Sequence, residues 1–418
     1  MRARTLRARA TGIGFAALCL GGLARADVPI EIPGEIVRMP PLGAHHVVVA
    51  DLLLRRSGIV DLDSGAFLGM FSTGFLTRGG VFPPGADEFF VPETYYSRGS
   101  RGERTDVVTI YESQVLAPVG EIQIPPKRAM NVLASGNDGA LDGGRFVVVH
   151  NMTPATSVSV VDVEARTFVE EIPTPGCALV YPAGPRRFFS LCANGSLLSV
   201  TLDAEGRRER VSRSDPFFDP RSDPITEKGV RVGDTWIFAS FEGYAVPIDV
   251  SGDEPRPGER WSLLDDADRA DSWRIGGSQH LAAHEGLGRL YSLVHQGGVD
   301  SHKDPGTELW VYDLARRERV QRIALEHPGF ELLGTPIEFG RSWPWPLNRL
   351  SDLLIYGLAP SPGISHVVVT RGADPLIVTG SSLSGSLALY DAETGDFQRR
   401  VATGNFTVQR LQVPWGRK

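Results

Sequence analysis

The sequence is poor in cysteine and lacks the motifs that identify most enzymes. It has three cysteines in 418 residues, too few for a disulfide-rich scaffold. No Gly-x-Ser-x-Gly elbow, phosphate loop or dinucleotide fingerprint occurs in a fitting strand, turn and helix context. His280 and His284 are four residues apart, but the glycines around them oppose the helix that would bring both imidazoles to one face. The sequence therefore predicts neither a metal site nor a catalytic residue in this chain.

Long apolar runs and blocks of one charge are also missing. Acidic and basic residues are interspersed, with a formal net charge of -7, and no basic stripe suggests nucleic acid as a partner. The apolar run at residues 12–23 is too short for a membrane span, which needs roughly 20 residues.

The N-terminus has the order of a cleaved signal peptide. An arginine-rich start precedes the apolar run, and Ala24-Arg25-Ala26 follows it as a cleavage site. We expect residues 1–26 to be a signal peptide and the mature protein to be periplasmic; a transmembrane anchor is the alternative.

Two cysteines, Cys177 and Cys192, remain after the predicted signal peptide is removed, because Cys19 lies within it. In an oxidising compartment a disulfide is the default. The residues between the two cysteines have the pattern of a strand, a turn and a second strand. We expect a structural disulfide that joins neighbouring strands, worth about 3 kcal/mol by the loop-entropy model.

A strand of alternating apolar residues that ends in an acidic turn recurs along the chain. The seven instances are residues 59–65, 108–113, 160–165, 198–203, 244–249, 309–314 and 387–392. Acidic side chains hydrogen-bond the local backbone of a turn, and glycine tolerates positive φ. Each instance is interpreted as the outer hairpin of one small sheet. Seven such sheets predict an all-β fold, a seven-bladed β-propeller over residues 27–418 with an insertion around 334–365. A non-repeating pair of β-sandwiches is the alternative.

Two polar segments differ from ordinary turns. The first includes Arg98, Arg101, Arg104 and Asp106, with glycines between the arginines, and it precedes a strand. Guanidinium groups on such a loop suit paired carboxylates or an interface. The second contains His302 and Lys303 and leads into the sixth repeat. A solvated loop is the alternative for both segments.

These segments resemble the heavy subunit of amine dehydrogenases that carry tryptophan tryptophylquinone on a separate light chain. The stretch of residues 97–106 is similar to the family's Arg-Gly-x-Arg-x-Asp segment, and residues 154–157 with 161–163 look closest to the aromatic amine branch. Residues 261–264, 273–277 and 302–303 also fit the family, and Cys177 and Cys192 fall where it has its heavy-chain disulfide. The resemblance extends over about residues 46–325 and returns in the final repeat.

The resemblance implies a subunit with no cofactor of its own. In this family the quinone is made from two light-chain tryptophans, and a light-chain aspartate acts as the base. Two heavy and two light chains form a heterotetramer that oxidises primary amines to aldehyde and ammonia. A blue-copper protein or a cytochrome then accepts the electrons. On this basis Arg98, Arg101, Arg104, Asp106, His302 and Lys303 are light-chain interface candidates.

One stretch departs from the family pattern. A heavy-chain aromatic residue early in the first blade lines the family's substrate channel, whereas residues 51–55 are aliphatic apart from their charged ends. Asp51, Leu53 and Leu54 are therefore substrate-channel candidates, and the amine is left open. A free-standing binding propeller without a light chain is the alternative function. A propeller enzyme with its own cofactor ranks last, because the sequence supplies no ligands for one.

Overall fold

Alternating apolar residues and acidic turns produce short antiparallel strands throughout the computed structural model. It describes residues 36–75, 79–126, 138–326, 330–332, 335–337, 363–382, 384–405 and 407–414. The predicted signal peptide and most of the predicted insertion lie outside these residues. All the strands belong to one compact unit, Arg38–Lys418.

Fourteen strands of the first four blades come before blade 5 in the chain. They are β1 (His46–Asp51), β2 (Arg56–Asp61) and β3 (Phe67–Ser72); β4 (Glu88–Tyr96), β5 (Arg104–Glu112) and β6 (Pro118–Ile124); β7 (Asp138–Leu141), β8 (Phe146–Asn151), β9 (Ser157–Asp162) and β10 (Thr167–Pro173); and β11 (Cys177–Gly184), β12 (Arg187–Cys192), β13 (Leu197–Leu202) and β14 (Arg208–Arg213). A single 3-10 turn, Asp142–Gly144, follows β7.

The remaining strands complete the ring. Blade 5 has β15 (Val230–Val232), β16 (Thr235–Ala239), β17 (Tyr244–Asp249), β18 (Arg256–Pro257) and β19 (Trp261–Ser262), followed by the short helix α1 (Asp266–Ala270). Blade 6 has β20 (Trp273–Ile275), β21 (Leu281–His284), β22 (Arg289–Gln296), β23 (Glu308–Asp313) and β24 (Glu318–Ala324). A hairpin of β25 (Phe330–Leu332) and β26 (Thr335–Ile337) precedes blade 7, which has β27 (His366–Val369), β28 (Leu376–Gly380), β29 (Ser386–Asp391) and β30 (Phe397–Ala402).

The C-terminal strand β31 (Arg410–Gln412) closes the ring. It pairs with β1, so that the first blade has the strand order β3-β2-β1-β31. Ala50 lies opposite Arg410 in this pairing. The first blade thus combines the two ends of the folded unit, and the seven-bladed propeller is confirmed.

The core is divided among the gaps between blades. Each of seven apolar clusters joins one blade to the next, and the last joins blade 7 to blade 1. In β1, Val47 and Val49 pack towards blade 7 whereas Val48 packs towards blade 2. Successive side chains of a strand point to opposite faces, so each blade is apolar on both sides. No blade can bury its two faces without neighbours.

The predicted acidic turns join the third and fourth strands of the blades. Asp313 Oδ1, for example, accepts hydrogen bonds from the backbone N–H groups of Ala315 (2.9 Å) and Arg316 (2.8 Å). The predicted disulfide is also present, because Cys177 and Cys192 lie directly opposite each other on β11 and β12. Both predictions are confirmed.

Candidate functional site

Antiparallel pairing places the loops of each blade on two opposite faces. We letter the strands A to D from the axis outwards, so that A–B and C–D turns share one face and B–C loops lie on the other. The innermost strands of blades 6 and 7 run parallel at the bridge between Gln279 and His366, as expected if neighbouring blades have the same orientation. In the first six blades the B–C loops are residues 52–55, 97–103, 152–156, 193–196, 240–243 and 297–307.

All the predicted site segments lie in or beside these loops. The channel candidates belong to blade 1, the arginine-rich segment to blade 2, and His302 with Lys303 to blade 6. We call this surface the B–C face. The sequence pattern did not indicate that the three segments lie on one face. The up-and-down order of the strands in each blade places them there.

Asp51 stabilises its own loop. Its Oδ1 accepts hydrogen bonds from the backbone N–H groups of Leu53 (2.8 Å) and Leu54 (3.0 Å), and its Oδ2 accepts one from Thr407 (3.1 Å). Asp51 is buried, whereas Leu53 is 71% exposed. The structure therefore presents the two leucines on the B–C face and places Asp51 beneath them as a link to the C-terminal segment.

The arginine-rich segment divides into two parts. Arg98 and Arg101 are exposed at the tip of the hairpin between β4 and β5, where the Arg98 backbone N–H donates to the Arg101 carbonyl (2.9 Å). Arg104 instead folds back on the buried carboxylate of Asp106, and its Nε donates to Oδ1 at 3.0 Å. Only the tip arginines are free to meet another molecule.

His302 joins two blades at the B–C face. Its ring stacks on Phe241 of blade 5, with the ring centroids 3.8 Å apart. Burial lowers the pKa of His302, and the charges of Lys228 and Lys303 lower it further. Lys303 itself is exposed. The two residues that were predicted together thus have different surroundings.

Five large exposed apolar side chains lie on the same face. Leu53, Leu54, Tyr95, Met152 and Val299 belong to B–C loops or to the strand ends beside them. Apart from two N-terminal residues, the other large exposed apolar side chains of the described chain lie on outermost strands. Three of these, Phe67, Val119 and Phe397, lie at strand ends beside C–D turns, near the opposite face. Because the five are presented by loops of one face together with the exposed tip arginines, the B–C face is a candidate interaction surface.

An aromatic contact beside the two leucines was missed by the sequence analysis. Phe75 and Tyr96 meet edge to face with ring centroids 5.3 Å apart, and the Arg55 guanidinium lies 5.4 Å from the Phe75 centroid. Phe75 lies in the connection between blades 1 and 2, which no repeat pattern marks. The aliphatic loop therefore has aromatic neighbours that come from elsewhere in the chain.

Glu93 is a buried acid close to this aromatic contact. It accepts a hydrogen bond from Thr109, and Tyr95 and Tyr111 lie near it. Burial raises the pKa of Glu93 to about 7. The sequence analysis gave no signal for it, because an acid within a strand is normally expected to face solvent.

The described tryptophans are packing residues. Trp310 is completely buried, its ring centroid lies 5.2 Å from that of Trp273, and the guanidinium groups of Arg319 and Arg322 cover the pair. Both indoles belong to the apolar core between blades 5 and 6.

The described part of the chain lacks two further features. It contains no group of three or more His, Cys, Asp or Glu residues placed to hold a metal ion. None of its helices is long and apolar enough to cross a membrane. The B–C face, with its exposed apolar side chains and tip arginines, is the candidate functional surface, and its chemistry suits binding.

Comparison with known sequences identifies one family. The family described as methylamine dehydrogenase heavy chain (MADH) matches residues 43–332. The methylamine dehydrogenase heavy chain of Paracoccus versutus is 26% identical, over 90% of this chain and 80% of that protein. The heavy chain of Methylorubrum extorquens is also 26% identical, over 77% of this chain and 78% of its own.

Comparison with solved structures agrees on the fold. Dihydro-heme d1 dehydrogenase NirN has a TM-score of 0.52 at 16% identity, covering 91% of this chain and 77% of that one. Kuenenia stuttgartiensis hydrazine synthase has a TM-score of 0.53 at 12% identity, covering 89% and 99%. At these identities the similarity concerns the fold alone.

Proposed function

The chain belongs to the methylamine dehydrogenase heavy chain family, and from this premise we propose that it is the large subunit of a periplasmic quinoprotein amine dehydrogenase. A signal peptide at residues 1–26 would export it. The redox group would be tryptophan tryptophylquinone on a partner light chain, which supplies the oxidation of a primary amine to aldehyde and ammonia. Electrons would pass to a blue-copper protein or a cytochrome.

In this proposal the B–C face docks the light chain in a heterotetramer of two heavy and two light chains. The observation that carries it is the set of exposed apolar side chains in and beside the B–C loops, with the tip arginines among them. Interfaces are enriched in aromatic residues, methionine and arginine, and Tyr95, Met152 and the tip arginines are of these types. His302 and Lys303 extend the same surface, whereas Arg104 and Asp106 support the hairpin from within.

Leu53 and Leu54 would form part of the substrate-channel wall. They are exposed on the B–C face, and the Phe75–Tyr96 contact lies in the adjoining connection. The choice of amine would depend on this mixed aliphatic and aromatic surface together with the light chain.

Purification from the native periplasm tests the assignment. A small cysteine-rich chain should co-elute, and the complex should show the visible absorption of a quinone. A colourless single chain, from cells shown to express an intact light chain, would contradict the proposal and favour the free-standing binding propeller.

Matched variants test the docking surface. Val299→Asp places a charge on the B–C face, and Val119→Asp places one on the outer strand of blade 2, where the valine is 55% exposed. We expect Val299→Asp to reduce recovery of the light chain at least tenfold, because it would bury a charge in an interface. Val119→Asp should have no effect. Equal recovery with both variants would exclude this face.

Arginine variants must separate docking from folding. We expect Arg98→Ala combined with Arg101→Ala to weaken light-chain binding without changing the melting temperature. Arg104→Ala should lower the melting temperature instead, because it leaves the Asp106 carboxylate buried without its cation.

A further inference from the structure

A cavity on the propeller axis is lined by cations. Its volume is about 280 Å³, and the innermost strands of blades 5, 6, 7 and 1 surround it. Lys228, Arg231 and Arg410 are its charged lining residues, and Gln279 and Gln412 add amides. No carboxylate lines it among the described residues. This is unexpected in a chain whose net charge is -7.

Lys228 is the cation with the fewest partners there. It is only 5% exposed, and its Nζ donates one hydrogen bond, to the Gly277 carbonyl at 3.0 Å. An ammonium group has three N–H donors. Among the described residues no carboxylate lies within ion-pair distance of its Nζ, and the negative charge of the adjacent Glu227 acts on it only from further away. Arg410, in contrast, lies 3.9 Å from Asp138. A buried charge without a counterion is costly unless a ligand supplies one.

A neighbouring histidine fixes the carbonyl that holds Lys228. His280 Nε2 lies 3.1 Å from Thr226 Oγ1, and its Nδ1 lies 3.4 Å from the same Gly277 carbonyl oxygen. This arrangement suits a neutral ring that donates from Nδ1 and accepts at Nε2. His280 therefore positions Lys228 and does not itself offer a free donor.

His302, on the B–C face, has a pKa that burial lowers and that the charge of Lys228 lowers further. It lines a cleft of about 300 Å³ beside the axis, and its Nδ1 is shielded from solvent without a hydrogen-bond partner in the described chain. The charged or titratable groups around it are Glu227, Lys228, His280, Asp300 and Lys303, with Arg221, Glu242 and Arg274 also lining the cleft. Positive charges near an imidazole disfavour its protonation.

We propose that the axial cavity binds a carboxylate, which the Lys228 ammonium contacts directly. The two carboxylate oxygens match the two unused N–H groups of Lys228. The anion offsets the positive charge that opposes protonation of His302. The inference goes beyond the proposed function, because the site is built from this chain alone.

Histidine titration of the isolated chain tests this site. Imidazole NMR signals are followed against pH in sodium acetate and in sodium chloride of equal ionic strength. We expect acetate to raise the pKa of His302 above its value in chloride. In Lys228→Met the pKa of His302 should already be higher in chloride, acetate should add nothing, and the affinity for acetate should fall at least tenfold.

Lys303→Met is the matched control. It also removes a positive charge near His302, so it should raise the pKa of His302, but the response to acetate should persist because Lys303 is exposed. Equal titrations in acetate and chloride, or an undiminished acetate response in Lys228→Met, would overturn the proposal. Thermal unfolding of each variant shows whether the fold is kept.

A free carboxylate ion and an acidic side chain of a docked chain share this chemistry. The same titration on the assembled complex separates them, because a docked side chain would abolish the acetate response and a free ion would not. Failure of the isolated chain to respond rejects the carboxylate site alone. Failure to recover any complex rejects the proposed function and leaves the result on the isolated chain in place.

Discussion

Some charged side chains near the B–C face are exposed to solvent and others are buried. Glu93 is a buried one, only 1% exposed. Folding holds its pKa at about 7, above its ordinary value of 4.5, because the carboxyl is buried. The folded state therefore binds this proton more tightly than the unfolded state does. The contribution of Glu93 to stability is present at low pH and is lost as the pH rises from about 4.5 to about 7.

Glu93→Gln should remove this pH dependence. Glutamine mimics the neutral acid at every pH. From pH 5 to pH 8 the free energy of unfolding of the variant, relative to that of the natural protein, should therefore rise by about 2 kcal/mol. Denaturant unfolding of both proteins at the two pH values measures the difference. Other groups, such as His150, whose pKa burial lowers to about 4, contribute equally to both proteins. If the two proteins differed in their free energy of unfolding by the same amount at pH 5 and at pH 8, the prediction would be wrong.

At this scale the sequence predicted roles that depend on near neighbours. The acidic turns were predictable because Asp313 bonds to residues two and three positions along the chain. Asp51 was not, because its Oδ2 bonds to the Thr407 backbone on the other side of the ring closure. Arg104 appeared equivalent to Arg98 in sequence, and only the register of β4 and β5 separates them.

At the scale of strands, the sequence predicted each outer hairpin, since each has an alternating strand and an acidic turn. It did not predict the irregular inner strands. Blade 6 begins with two short segments, β20 and β21, which both pair with β22. Between them Gly276 allows close packing, because a Cβ there would lie 2.5 Å from the Asp304 carbonyl oxygen. Such contacts between distant segments leave no local periodicity in the sequence.

The disulfide is the element-scale feature most open to a direct test. Cys177 and Cys192 enclose a loop with a sequence separation of 15. Replacing both with alanine should reduce the free energy of unfolding by about 3 kcal/mol, because the unfolded chain gains freedom. Thermal and denaturant unfolding measure the loss. Reducing agent should destabilise the natural protein and leave the double variant unchanged; an equal response of both would contradict this role.

At the scale of the whole molecule, closure by β31 makes stability depend on the last strand. A chain that ends after Asn405 lacks β31, which contributes Leu411 to the core between blades 7 and 1. We expect it to lose cooperative unfolding, since β1 would have an unpaired edge and the gap would lose its apolar cluster. A chain that ends after Pro414 keeps β31 and is the control. Calorimetry with size-exclusion chromatography compares them, and equal melting temperatures would contradict the prediction.

The pairing of β1 with β31 also determines when folding can finish. The ribosome makes β1 among the first strands and β31 among the last, so blade 1 stays incomplete during almost all of synthesis. Contacts so distant in sequence slow folding, and an open strand edge meanwhile favours association with other unfinished chains. A holding chaperone that keeps β1 from pairing until the chain is complete should therefore increase the yield of folded protein.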